Sequence, residues 1–149
     1  MRSIIREILL RPSISDTLLL GRIVVFALLL PLALRRRDLT SLASFVEPRR
    51  SRGVASESLA DKTLRYADAV CASRLIRAEC LVRGLTRYYF LRRAGVSLSL
   101  VFGMGTVEGR LIGHCWLVRD GRPFREPIDP GPCYVPFLTF PVVSVSRAV

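Results

Sequence analysis

Twelve consecutive apolar residues, Ile23 to Leu34, closed by Arg35-Arg36-Arg37, set the first limit on how this chain can fold. A helix crossing a membrane needs about 20 apolar residues, and extending the run backward meets Arg22, which would have to snorkel. A secretory signal fits badly, because three arginines and not a small-residue cleavage site follow the run. Asp16 or Ser15 can cap a helix opening at Thr17, Pro31 would kink it, and the arginines suit its carbonyl end. Three roles are open to residues 18–34: a helix buried in the domain or against a partner protein, a helix lying on a membrane surface, or a span. A shorter helix is expected over 39–46, stopping before Pro48. Residues 47–57 are polar and turn-rich and read as a linker. The expected division is therefore a helical N-terminal arm over 1–55 and a chemistry-bearing domain over 56–149.

The formal charge of +11 would ordinarily suggest a nucleic acid or an anionic surface. Here it comes from 22 arginines and a single lysine, Lys62, in a chain with no asparagine or glutamine. The arginines are scattered, and no basic stripe interleaved with aromatics is present of the kind single-strand binders use. No nucleic-acid partner is expected. Four cysteines, Cys71, Cys80, Cys115 and Cys133, are too few and too irregular for a disulfide scaffold, and without a CxxC pair neither a zinc site nor another metal or cofactor is expected. With no convincing export signal, reduced thiols in the cytoplasm are the default.

In the second half, Ser58-Leu59-Ala60-Asp61 resembles a capping box, and Leu64, Ala67, Val70 and Cys71 recur at helical spacing. After a break near 74–77 another helix begins at 78–80, with Leu81, Leu85, Tyr88 and Tyr89 on one face and Gly95 as its stop. Residues 96–102 alternate as a strand, 103–109 are turn-rich, 110–118 form a second strand, and Asp120-Gly121 is a strong hairpin signal leading to a third. Helix, helix, strand, strand, strand is an α+β pattern with an antiparallel sheet.

A thiol becomes a nucleophile where its thiolate is stabilised, as at a helix N-terminus beside an imidazolium. Cys80 is the one cysteine at an expected helix start. Cys71 falls on the apolar side of the preceding helix, and Cys133 lies in a Gly-Pro-Cys loop. Cys115 adjoins His114, the only histidine, on a strand, and strand neighbours point to opposite faces. Cys80 and His114 thus form a candidate catalytic pair, with an acid on the return strand as a candidate third member. The lack of amide side chains leaves only acids for that role. A three-residue loop Arg119-Asp120-Gly121 would set Glu126 opposite His114. A two-residue loop would set Pro127 there and Glu126 on the wrong face, leaving Asp129 as the fallback. Asp120 itself reads as a turn residue. An oxyanion would have to be held by backbone N–H groups at Cys80 and its helix start, or by a hydroxyl or arginine.

Residues 77–95, Arg-Ala-Glu-Cys-Leu-Val-Arg-Gly-Leu-Thr-Arg-Tyr-Tyr-Phe-Leu-Arg-Arg-Ala-Gly, resemble the R/K-C-L-x-x-(S/A)-L…L-x-x-x-G signature of lasso-peptide leader peptidases. His114-Cys115-Trp116-Leu117-Val118-Arg119-Asp120-Gly121 resembles their H-A-W-V-E-x-D-G. The resemblance covers roughly 56–135 and implies a papain/transglutaminase-like core, with the nucleophile helix packed on an antiparallel sheet. It implies that Cys80 cleaves the leader from a ribosomally made precursor peptide, with His114 as base and then acid. It also implies two protein partners, a small leader-recognition protein and an ATP-dependent lasso cyclase. Two departures stand out: the family's usual aspartate is Glu126 here, and Cys115 replaces a small alanine. The same Cys-His pair would also serve an acyl transferase with an amine acceptor. A third reading is a non-catalytic scaffold or membrane-associated binding module, and on any of these readings the protein is expected in the cytoplasm, where the 18–34 helix could hold it at the inner face of the membrane.

Overall fold

The computed structural model describes residues 13–36, 41, 46, 56–73, 76 and 80–141. The helix expected over 39–46 and the linker after it fall outside the described residues, except for Ser41, Val46, Ser56 and Glu57. Among the described residues are three helices, α1 (Ile14–Leu34), α2 (Glu57–Cys71) and α3 (Cys80–Arg93), followed by strands β1 (Ser99–Val107), β2 (Arg110–Arg119), β3 (Arg122–Pro123) and β4 (Val135–Phe140). The class is α+β. The chain divides into two compact units, 1–96 and 97–149.

In the first unit α1 begins three residues earlier than its acidic cap suggested. Ser13 is the N-cap in extended conformation, and its carbonyl accepts from the N–H groups of Asp16 and Thr17 at 2.9 and 3.1 Å. Asp16 instead sits in the first turn, where a carboxylate complements the helix dipole, and pairs with Lys62 of α2 at 3.1 Å. The helix continues past Pro31 to Leu34. Ile23, Ala27 and Leu30, spaced to share one face, are buried. Ile23 and Ala27 pack with Tyr66, Ala67 and Val70 of α2 and Phe90 of α3. Phe26 stacks on Tyr89 of α3 at 4.6 Å, their planes 9° apart. The opposite face, Ile14, Leu18, Val25, Leu28, Leu29 and Leu32, is exposed. By length and composition α1 could cross a membrane, but its inner face is engaged by two helices whose other sides carry ions such as the Asp68–Arg87 pair.

Helix α2 is capped by Ser56 and not Ser58: the Ser56 hydroxyl accepts from Leu59 N–H at 3.3 Å. Helix α3 ends as its glycine foretells. Gly95 has φ +97°, its N–H donates to the Arg92 carbonyl, and Val96 N–H donates to the Leu91 carbonyl, the paired bonds of a Schellman cap. Its buried set, Val82, Gly84, Leu85, Thr86, Tyr88, Phe90 and Leu91, wraps more of the helix than the expected face.

The second unit is one antiparallel sheet in the order β3-β2-β1-β4. β1 does not stop at Phe102 but runs through Val107, and the turn is only Glu108-Gly109, at φ 50° and 75°. Asp120-Gly121, at φ 51° and 76°, is a second two-residue turn, Arg119 pairing with Arg122. Positive φ at both positions is the hairpin geometry that matches strand twist. β4 was not expected. Its Val-Pro-Phe-Leu-Thr-Phe pairs with β1 at the edge of the sheet, where a proline is tolerated.

The docking of α1 gives a stability test. Ile23→Ala should lower the unfolding free energy by about 2–5 kcal/mol, whereas Leu28→Ala on the exposed face should change it by less than about 0.5 kcal/mol. Urea unfolding followed by circular dichroism measures both. Equal effects would contradict the packing described.

Candidate active site

Cys80 is the first described residue of α3 and is exposed. The first N–H groups of a helix have no acceptor within it, so this end favours negative charge. His114 lies mid-way along β2, directly across from Gly103 of β1. Trp116, two residues on, shares its face and stacks at 6.0 Å with an 18° tilt. Cys115 turns to the other face and is buried, so it does not share the histidine's surroundings.

The two-residue hairpin is the case in which Pro127 was expected opposite His114 and Glu126 on the wrong face. The loop has that length, but the ladder does not continue. β3 ends at Pro123, Phe124 N–H makes one more bond to the Leu117 carbonyl, and Arg125 then turns to φ 55°. Once the chain leaves the ladder, strand alternation no longer governs the next side chain. Glu126 comes to the histidine, Oε2 lying 4.0 Å from His114 Nε2. Its side chain is only 11% exposed, against 27% for the imidazole, so solvent screens the contact less than it screens a surface pair.

Asp129 is occupied differently. Its Oδ1 accepts the Gly131 N–H at 2.9 Å, which tightens the turn at 130–133. Asp120 is at the hairpin tip, 3.6 Å from Arg119 and almost wholly exposed. Among the described residues no group of three His, Cys, Asp or Glu side chains converges as a metal site.

A family profile described as the transglutaminase-like superfamily matches residues 24–139. The chain belongs to the transglutaminase-like superfamily. No curated protein and no solved structure gives a significant match. Members of the superfamily are generally cysteine peptidases and acyl transferases, and thiol-based acyl chemistry is the class that membership suggests. The match begins inside α1, so the leucine-rich helix is partly within the superfamily region.

Four residues around His114 in this superfamily member have roles that only the folded chain shows. Gly103 and Gly105 looked like turn residues but are strand positions where other groups come close. A Cβ on Gly103 would stand 2.7 Å from the Trp116 ring, and one on Gly105 would collide with the Cys133 carbonyl. Tyr134 packs its ring 5.0 Å from that of His114, and Trp116 flanks the same imidazole. Glycines inside an otherwise β-branched and aromatic strand were the available signal.

No disulfide joins the four cysteines. Burial pushes the Cys71 thiol above its ordinary range, outweighing a hydrogen bond with Thr86 that acts the other way. In the native protein at neutral pH, iodoacetamide should therefore modify Cys80 and Cys133 and spare Cys71 and Cys115. Peptide mass mapping reads the result, and early labelling of Cys71 would contradict it.

Proposed function

We propose that this protein is a cysteine peptidase that removes the leader from a lasso precursor peptide. The observation that carries the reading is the contact of His114 on β2 with Glu126, in a chain of this superfamily in which Cys80 is the first described residue of α3. The resemblance of 77–95 and 114–121 to leader-peptidase motifs supplies the substrate class.

In the proposed reaction His114 takes the Cys80 thiol proton and the sulfur attacks the carbonyl carbon of the leader–core bond. With Nε2 directed at Glu126, Nδ1 is the nitrogen left to exchange that proton. Glu126 orients the ring. Backbone N–H groups at the start of α3 would hold the oxyanion, a type of contact worth roughly 3 kcal/mol where single donors have been removed. His114 then protonates the departing amine of the core, leaving the leader as a thioester on Cys80. Water, deprotonated by His114, hydrolyses the thioester and restores the thiol, and no cofactor takes part.

A small leader-recognition protein would deliver the precursor, and an ATP-dependent cyclase would use the freed core amine. The reaction belongs in the cytoplasm. The outward leucines of α1 are the surface through which the protein would lie against the inner face of the membrane.

Incubation of the precursor with this protein and its leader-binding partner, followed by mass, tests the reading. Wild type should release the core, and Cys80→Ala should release none. His114→Ala should lose roughly 10²-fold or more in rate, and Glu126→Ala should lose more than Asp129→Ala. An uncleaved precursor with functional partners overturns the peptidase reading, and transfer of the leader to an added amine in preference to water would favour the acyl transferase. A larger loss in Asp129→Ala would exchange the two acids' roles.

A further inference from the structure

The side chain of histidine has one soft torsion, the rotation of the ring about Cβ–Cγ, which has no sharp wells of its own. A base that must hold Nε2 toward one partner and present Nδ1 to another needs that rotation restrained from outside. Around His114 two flat rings meet this need. Trp116 lies nearly parallel to the imidazole, and Tyr134 approaches from β4's leading turn at 5.0 Å with a 34° tilt. Tyr134 and Trp116 are themselves in contact at 6.2 Å.

The turn that presents Tyr134 is fixed with unusual care. Cys133 and Tyr134 N–H both donate to the Pro130 carbonyl at 3.0 Å, and Asp129 accepts from Gly131. The Cys133 carbonyl sits where a side chain on Gly105 would begin, and the Tyr134 ring and Cβ lie 3.1 Å from the Cβ positions of Gly105 and Gly103. Two strand glycines, at a cost to strand propensity, are what allow the tyrosine to reach the histidine.

We infer that Tyr134 is a positioning residue for His114, acting through the packing of its ring and not through its hydroxyl, with Gly105 as the seat that sets its height above the sheet. The inference rests on the reading of His114 as the base of a peptidase.

Because the chain has one histidine, a protein labelled in histidine gives a single imidazole signal by NMR, free of overlap and read without substrate. In wild type the ring protons should lie upfield of free imidazole, shifted by the flanking rings. Tyr134→Phe should keep that shift and keep kcat within about twofold. Tyr134→Leu should move the signal toward free imidazole and lower kcat about tenfold or more with KM nearly unchanged, since small misplacements of a reacting group are expensive in rate. Gly105→Ala, which retains the tyrosine but lifts its turn, should behave as Tyr134→Leu does. If Tyr134→Leu fails to fold, Gly105→Ala decides on the same two readouts.

An unshifted wild-type signal overturns the inference. So does a loss in Tyr134→Phe equal to that in Tyr134→Leu, which would assign the role to the hydroxyl. Cleavage by wild type with signal and kcat unaltered in Tyr134→Leu removes the positioning role and leaves the peptidase standing. The stated signal changes in a protein that cleaves nothing would remove the peptidase reading, and with it the role of the contact in catalysis.

Discussion

The departure of the chain from the β2–β3 ladder at Arg125 is the constraint on which the candidate site depends. Had the hairpin continued in register, Glu126 would have pointed to the face opposite His114 and its carboxylate could not have approached the ring. A non-glycine residue in the left-handed region costs about 1–2 kcal/mol, and Arg125 at φ 55° accepts that strain. The acid that results is shielded and 4.0 Å from the imidazole, a distance open to tightening when substrate is present.

The same region shows how sheet geometry and chemistry are coupled. Residues directly opposite in an antiparallel pair share a face, so the pairing of Gly103 with His114 and of Val101 with Trp116 puts the histidine and tryptophan beside a bare patch of β1. Glycine at 103 and 105 leaves room for the Trp116 ring and for the turn carrying Tyr134. Asp129, the other candidate acid, accepts the Gly131 N–H within the turn. In the first unit the division of labour is simpler: the inner face of α1 completes a hydrophobic cluster, and the first turn of α3 presents Cys80.

Features governed by local rules could be read from the sequence. Gly95 announced the end of α3, Asp120-Gly121 announced its turn, and the lone apolar segment announced α1, because caps, hairpin turns and helical periodicity depend on neighbouring residues. Features governed by distant contacts could not. Gly103 and Gly105 look like punctuation until Trp116 and Cys133 are placed on them. β4 was hidden by Pro136, which is acceptable only because that strand is at an edge. The caps of α1 and α2 each fell on a serine ahead of the expected residue, since several serines and acids competed locally. The placement of His114 within a strand was legible, and Cys80 is the first described residue of α3. Glu126 is a candidate in the sequence for the place beside His114 through a three-residue loop, whereas in the structure it arrives there because the ladder ends after a single bond beyond β3.

The proposed function has His114 activate Cys80. It is tested most directly by the rate at which Cys80 is carboxymethylated at neutral pH, in a Cys133→Ser background that leaves it the one exposed thiol. The expected rate is at least about tenfold lower when His114→Ala is added, since the thiolate is the reactive form and the imidazole is its proposed partner. Equal rates with and without His114 would contradict it.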